Sequence, residues 1–192
     1  MRTGSSDKSR SARHRAKYSA RRISADAMLI AAAFMISFAE SALISFAPLP
    51  GFKPGLANLA VMAALCISPL DAVCVSLGRL IISAVFFGNY ISAVMSFSGA
   101  AASLLILFAM HVLKIGHLSW IGVSYLSALF HNGGQLAAAC LLLSSTAALS
   151  YAPVLLIFSA VCGILSGIIM NHISPIVLTV KDRYFFSSID NI

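Results

Sequence analysis

The chain alternates long apolar runs with short breaks. The apolar runs cover residues 27–47, 54–69, 72–87, 91–113, 118–143 and 152–173, and they are separated by short breaks that contain proline, glycine, asparagine, aspartate, lysine or serine. A helix that crosses a membrane needs about 20 predominantly apolar residues. The pattern therefore predicts an all-α integral membrane bundle of six transmembrane helices, in which the second and third helices are shorter than this length.

Composition and charge support this class and predict an orientation. The chain has 59% hydrophobic and only 10% charged residues, whereas about 25% of residues are charged in soluble domains. Lysine and arginine are concentrated in the first 22 residues, and basic segments favour the cytoplasmic side. We expect both termini in the cytoplasm of a bacterial cell membrane, with a basic tail 1–24, a transmembrane domain 25–175 and a second tail 176–192.

The net charge of +7 does not indicate a nucleic acid partner. The basic tail contains Tyr18 as its sole aromatic residue, whereas binding of single strands relies on several aromatic side chains for stacking. Membrane lipid is the expected partner of the tail. The four cysteines are isolated within apolar runs, so neither a disulfide framework nor a metal site is predicted.

Polar side chains interrupt three of the apolar runs at similar predicted depths. We call this set, which lies in the outer half of the membrane by helix rise, the polar layer: Glu40, Asn58, His131, Asn132 and Gln135. Polar groups in a membrane interior are costly and indicate function by default. The layer predicts a small pocket for a polar molecule, although the same groups could instead bond to one another and fix helix register.

The break between the first two runs lies above this layer. It reads Pro48-Leu-Pro-Gly-Phe-Lys-Pro-Gly-Leu-Ala-Asn58, and its prolines and glycines require the chain to turn. Lys53 lies on this loop and is a further candidate for the pocket. Arg79, in the third run, is predicted several ångströms deeper than Glu40, where it needs a charged partner, water or a ligand.

Catalysis has little support in the sequence. There is no phosphate-binding glycine loop, no His-Glu-x-x-His motif and no aspartate-rich pair. We therefore expect no enzyme activity, no cofactor and no metal. Asp71 stands alone at the start of the third run, where it is a candidate helix cap.

Several of these segments also resemble a known family. The residues Glu40-Ser41, Pro50–Asn58, Leu77-Gly-Arg79 and His131-Asn-x-Gly-Gln135 resemble the Gx transporter family, also called heptaprenyl diphosphate synthase component I, over roughly residues 25–173. That family is similar to the substrate-binding S components of energy-coupling-factor vitamin transporters. The resemblance implies six spans, a ligand site beneath the first loop, and a transmembrane coupling subunit with ATPases as partner.

The resemblance also assigns roles and leaves three functions open. It implies that Ala27 and Ala31 contact the coupling subunit, although small residues at this spacing also pack within a chain. An S-component-like carrier of a small organic molecule ranks first. A non-catalytic membrane component of a prenyl diphosphate synthase, bound to a soluble synthase subunit, ranks second, and an assembly scaffold ranks third.

Overall fold

The structure is a computed structural model, and it describes residues 3–43, 55–87, 90–113, 119–143 and 146–182. These residues form helices and no strands. The helices are α1 (Thr3–Leu43), α2 (Asn58–Ile67), α3 (Pro69–Phe87), α4 (Tyr90–Val112), α5 (Trp120–Leu142) and α6 (Ala152–Lys181), with a short 3₁₀ helix (Thr146–Tyr151) before α6. The predicted all-α class is confirmed for this part of the chain.

Four segments within the described ranges are long and apolar enough to cross a membrane. They are Ala20–Ala42, Pro69–Phe86, Tyr90–Val112 and Ala147–Lys181. Helix α5 has 23 residues but carries three members of the polar layer, and α2 has only 10 residues. The structure thus supports a membrane protein with four candidate spans, whereas the count of six and the side on which the termini lie stay predictions.

The short helix α2 lies at the centre of the bundle. It contacts α1, α3, α5 and α6, and its residues from Ala60 to Ala64 are buried. Small side chains let the neighbouring helices approach closely. The main apolar cluster forms around this helix, with Val75 of α3, Leu107 of α4 and Met170 of α6.

Glycines allow close packing on both sides of α5. A Cβ added at Gly167 of α6 would lie 2.4 Å from the Cα of Ile121, and one added at Gly134 would lie 2.6 Å from the carbonyl oxygen of Ser98. Real side chains do not tolerate such distances. Helix α5 is therefore held tightly between α4 and α6, although it is the most polar of the long apolar helices.

Polar contacts tie the helices together at the end of the bundle where α2 is followed by α3. Asp71 is buried and accepts from Arg22 of α1 at 2.6 Å, while the Nζ of Lys181 donates to the carbonyl of Cys66 at 2.8 Å. The expected cap role of Asp71 is wrong, because the Ser68 hydroxyl accepts from Leu70 N at the start of α3. Asp71 instead fixes α1 to α3.

Two helices extend beyond the apolar runs from which they were predicted. Helix α1 begins at Thr3 and so includes most of the basic segment, since lysine, arginine and alanine are all good helix formers. Helix α6 continues through Pro175 to Lys181. A proline inside a helix removes one backbone hydrogen bond, and here the helix tolerates it.

Candidate functional site

The polar layer begins where Glu40 of α1 meets the turn before α2. Residues Gly55 to Ala57, which we call the 55–57 turn, lead directly into α2. The Glu40 carboxylate is 3% exposed, and its Oε1 accepts a hydrogen bond from the backbone N–H of Leu56 at 2.5 Å. The glutamate therefore holds the turn against the first helix.

His131 of α5 lies beside the same turn, and Gln135 supports it. They lie one helical turn apart, and the Nε2 atoms of the two side chains are 3.0 Å apart. Both side chains are almost fully buried. Their amide–imidazole contact fixes the plane of the histidine ring within the bundle.

Two glycines pack against the His131 ring. A Cβ added at Gly55 would lie 3.2 Å from His131 Cδ2, and one added at Gly99 of α4 would lie 3.0 Å from His131 Cε1. Gly55 also has a φ of 89°, a conformation that other residues rarely adopt. The ring is thus enclosed between the 55–57 turn and α4, and Glu40 and His131 contact consecutive residues of one short segment.

Asn58 connects this segment to two other helices. Its Nδ2 donates to the hydroxyl of Ser127 on α5, and its Oδ1 accepts from Ser103 on α4 at 3.2 Å. All three residues are buried. The first residue of α2 is therefore fixed by both ends of its amide, which positions the turn that precedes it.

Asn132 faces a different helix from its neighbour His131. Its Nδ2 donates to the Ser159 hydroxyl of α6 at 2.7 Å, while its Oδ1 is buried without a hydrogen-bond partner among the described residues. Consecutive helix positions are about 100° apart around the axis. Asn132, which the sequence prediction grouped with His131, therefore bonds to α6, whereas the His131 ring packs against Gly55 and Gly99.

Arg79 of α3 is buried against α1, where it contacts Ser37, three residues before Glu40. The guanidinium is 4% exposed, and its Nη1 donates to Ser37 of α1 at 3.3 Å. Its Nε and Nη2 have no hydrogen-bond partner within the described part of the chain. The Glu40 carboxylate interacts electrostatically with Arg79.

The remaining predicted site residues lie apart from this group. Lys53 falls outside the described residues. Ala27 and Ala31 are exposed on α1, away from the polar layer. No group of three or more histidine, cysteine, aspartate or glutamate residues that could hold a metal ion occurs in the described ranges.

Sequence reasoning missed the serines and Gly99, which complete the site. Ser103, Ser127 and Ser159 hold the amides in place. A signal was present on α5, because Ser127 precedes His131 by four residues and so shares its helix face. The free-energy cost of a serine in an apolar helix is small, however, so the spacing of serines alone does not identify a ligand site.

The comparisons with known proteins place the chain in one family. A family model described as heptaprenyl diphosphate synthase component I matches residues 29–173. No curated protein and no solved structure matches the chain. The matched region contains Glu40, the 55–57 turn, Arg79 and the polar residues of α5, and it covers most of the sequence. The chain therefore belongs to the heptaprenyl diphosphate synthase component I family.

Proposed function

We propose that this chain is a substrate-binding protein of the bacterial cell membrane that takes up a small organic molecule. The observation that carries the proposal is the convergence of Glu40, the 55–57 turn and His131 in one buried group. A carboxylate, an imidazole and amides give oriented hydrogen bonds, and the apolar helices around them exclude water. The ligand would lie beneath the first loop, which would open and close above it, with Lys53 as a further contact.

Part of the polar group serves the scaffold. Asn58 bonds to two serines and Asn132 to a third, so these amides hold helices together. Arg79 Nε and Nη2 and Ser96 Oγ are in contrast buried without partners in the described residues. Each such group costs about 1–3 kcal/mol, and polar groups of a bound molecule would recover part of that cost.

The same proposal includes a protein partner. Ala27 and Ala31 are exposed on one side of α1, two small residues one helical turn apart. Small residues allow close contact with another membrane helix. This chain has no nucleotide-binding motif. A transmembrane coupling subunit with attached ATPases would therefore supply the energy for uptake.

A second candidate is a non-catalytic membrane component of a prenyl diphosphate synthase. The family match favours it, and the family description supports it more directly than it supports uptake. Synthesis of a prenyl diphosphate requires carboxylates that hold divalent cations, which a soluble partner subunit would supply. In this case the membrane chain would anchor the synthase rather than carry a solute.

Mass spectrometry of material released from the purified protein separates the candidates. The full chain is extracted in mild detergent as wild type, as Glu40→Gln and as Asp71→Asn. Asp71→Asn is the matched control, because it also neutralises a buried carboxylate, but one that pairs with Arg22 at the far end of the bundle. A carrier yields a small molecule from the wild type and the control, and loses it in Glu40→Gln.

The other outcomes identify the alternatives. Co-purification of a soluble synthase subunit without a released molecule supports the synthase component. Release of the same molecule in equal amounts from Glu40→Gln and the wild type would refute the binding role of Glu40. If neither a molecule nor a synthase is recovered and Glu40→Gln changes nothing, the chain is a scaffold.

A further inference from the structure

Arg79 is a buried charged residue that forms few hydrogen bonds within the bundle. It is 4% exposed, yet one hydrogen bond, from Nη1 to Ser37, is the only one recorded for it within the described residues. A guanidinium has five N–H donors in a rigid plane. Burial of such a group without acceptors is costly, so the observed arrangement is incomplete as a structural element.

A second unpartnered group lies on the same face of α3. Ser76 precedes Arg79 by three residues, is 1% exposed, and its hydroxyl has no partner among the described residues. Residues three apart share a helix face. The Nε and Nη2 atoms of Arg79 and the hydroxyl of Ser76 thus offer hydrogen bonds on one face of α3, and the Glu40 carboxylate interacts electrostatically with Arg79.

We propose that Arg79, assisted by Ser76, binds the oxyanion of an acidic ligand, a carboxylate or a phosphate group. This inference rests on the proposed binding function and names the class of molecule that it takes. The planar guanidinium fork matches both groups with two parallel hydrogen bonds. The ligand would lie with its acid group at Arg79 and its remaining polar part towards Glu40 and the 55–57 turn.

Charge balance refines the ligand class. Glu40 and Arg79 carry opposite charges in the same buried region, so an added anion would leave one excess negative charge there. A molecule that also carries an amine keeps the region neutral, and uncompensated buried charge is strongly unfavourable. Zwitterionic acids therefore fit the site better than simple anions.

The test uses the full chain in lipid-free detergent and measures its thermal unfolding midpoint with small probes. Acetate, inorganic phosphate and β-alanine are compared with sodium chloride at equal ionic strength, and ethylamine is the control without an acid group. At about ten times Kd, a binding probe raises the midpoint of a chain of this size by about 3–6 °C. We expect a rise with β-alanine, a smaller one with acetate or phosphate, and none with ethylamine.

Variants assign the effect to Arg79. Arg79→Met is expected to abolish the rise, and Ser76→Ala to reduce it. Arg79→Lys keeps the charge but loses the second parallel hydrogen bond, so its probe Kd is expected to increase about tenfold. If Arg79→Met does not fold, Arg79→Lys decides, because an unchanged Kd in that variant would overturn the proposal.

The source of the oxyanion is tested separately. In mixed micelles, phosphatidic acid is compared with diacylglycerol, and a rise with phosphatidic acid alone identifies a lipid phosphate rather than a soluble acid. No rise with any acidic probe refutes the inference. A molecule that co-purifies, is lost in Glu40→Gln and carries no acid group refutes the inference while leaving the binding function intact.

Discussion

Substitution of Gly55 by alanine tests the geometry of the 55–57 turn. Gly55 has a φ of 89°, and a Cβ there would lie 3.2 Å from His131 Cδ2. The left-handed backbone costs a residue with a Cβ about 1–2 kcal/mol, and the lower entropy of the unfolded alanine chain offsets about 0.4–1 kcal/mol of this. With a small displacement of the ring, Gly55→Ala should destabilise the protein by about 1 kcal/mol.

Gly133 provides the matched control. It lies within α5, is exposed, and a Cβ added there meets no atom within 4 Å. Alanine in a helix interior is more favourable than glycine by about 0.8–1.0 kcal/mol. The two substitutions therefore have opposite signs and differ by about 2 kcal/mol, which corresponds to about 4–8 °C in the unfolding midpoint for a chain of this size.

The assay is thermal unfolding of both variants in one detergent, followed by intrinsic fluorescence or by loss of the monodisperse peak. Gly55→Ala should unfold below the wild type and Gly133→Ala at or above it. Gly55→Ala should also release any bound molecule more readily, because it displaces the His131 ring. Equal midpoints for the two variants would show that the turn does not have the conformation described and that the His131 ring is not enclosed by it.

Three further substitutions probe contacts elsewhere in the bundle. Arg22→Ala leaves the buried Asp71 carboxylate without its cation and should destabilise the protein by about 3 kcal/mol. Asp71→Asn should cost only about 1 kcal/mol, because Arg22 is partly exposed and can reach water. Denaturant titration in detergent ranks the two variants, and the reverse order would contradict the ion pair. Gly167→Ala brings a Cβ against the backbone of Ile121 and should cost about 1–3 kcal/mol; a midpoint equal to that of the wild type would show that α5 and α6 are less closely packed. Asn58→Ala removes hydrogen bonds to two serines and should cost about 2 kcal/mol, with faster amide hydrogen exchange in the 55–57 turn; unchanged exchange would show that this amide does not hold the turn.

The sequence predicted a similar height for Glu40 and His131, and in the structure the two residues contact consecutive residues of the 55–57 turn. Each interrupts an apolar run at a similar number of residues from the predicted membrane surface, and helix rise converts that number into a height. The glycine before α2 was also informative, because a break of this composition requires a turn. Whether these residues bind a ligand stays a prediction that the experiments above address.

Rotation about the helix axes was not predictable in the same way. Asn132 is adjacent to His131 in sequence, yet it bonds to Ser159 of α6. The packing of neighbouring helices determines which face of α5 is in contact with α4 and which with α6. Gly99 was missed for a different reason, since a glycine has no side chain that would identify it as part of a site. The position of Asp71 opposite Arg22 also depends on how α1 lies beside α3.

The number of spans could not be derived from hydropathy because two helices depart from the usual length or polarity. Helix α5 is long enough to cross a membrane, but His131, Asn132 and Gln135 lower its mean hydropathy, and it is covered by α4 and α6 on either side. Helix α2 is apolar, but its 10 residues are too few to cross a membrane. Both helices are stabilised by contacts with the rest of the bundle, and such contacts are not visible in the hydropathy of one segment.

The brevity of α2 has a mechanical consequence. Its 10 residues make a rod of about 15 Å, with Asn58 bonded into the polar layer at one end and the Cys66 carbonyl held by Lys181 at the other. A helix of fewer than three turns bends little, so a displacement of the 55–57 turn shifts the whole rod along its length. The short helix α2 is thereby bonded at its first residue to α4 and near its last residue to the end of α6, so one rigid element joins the polar layer to Lys181.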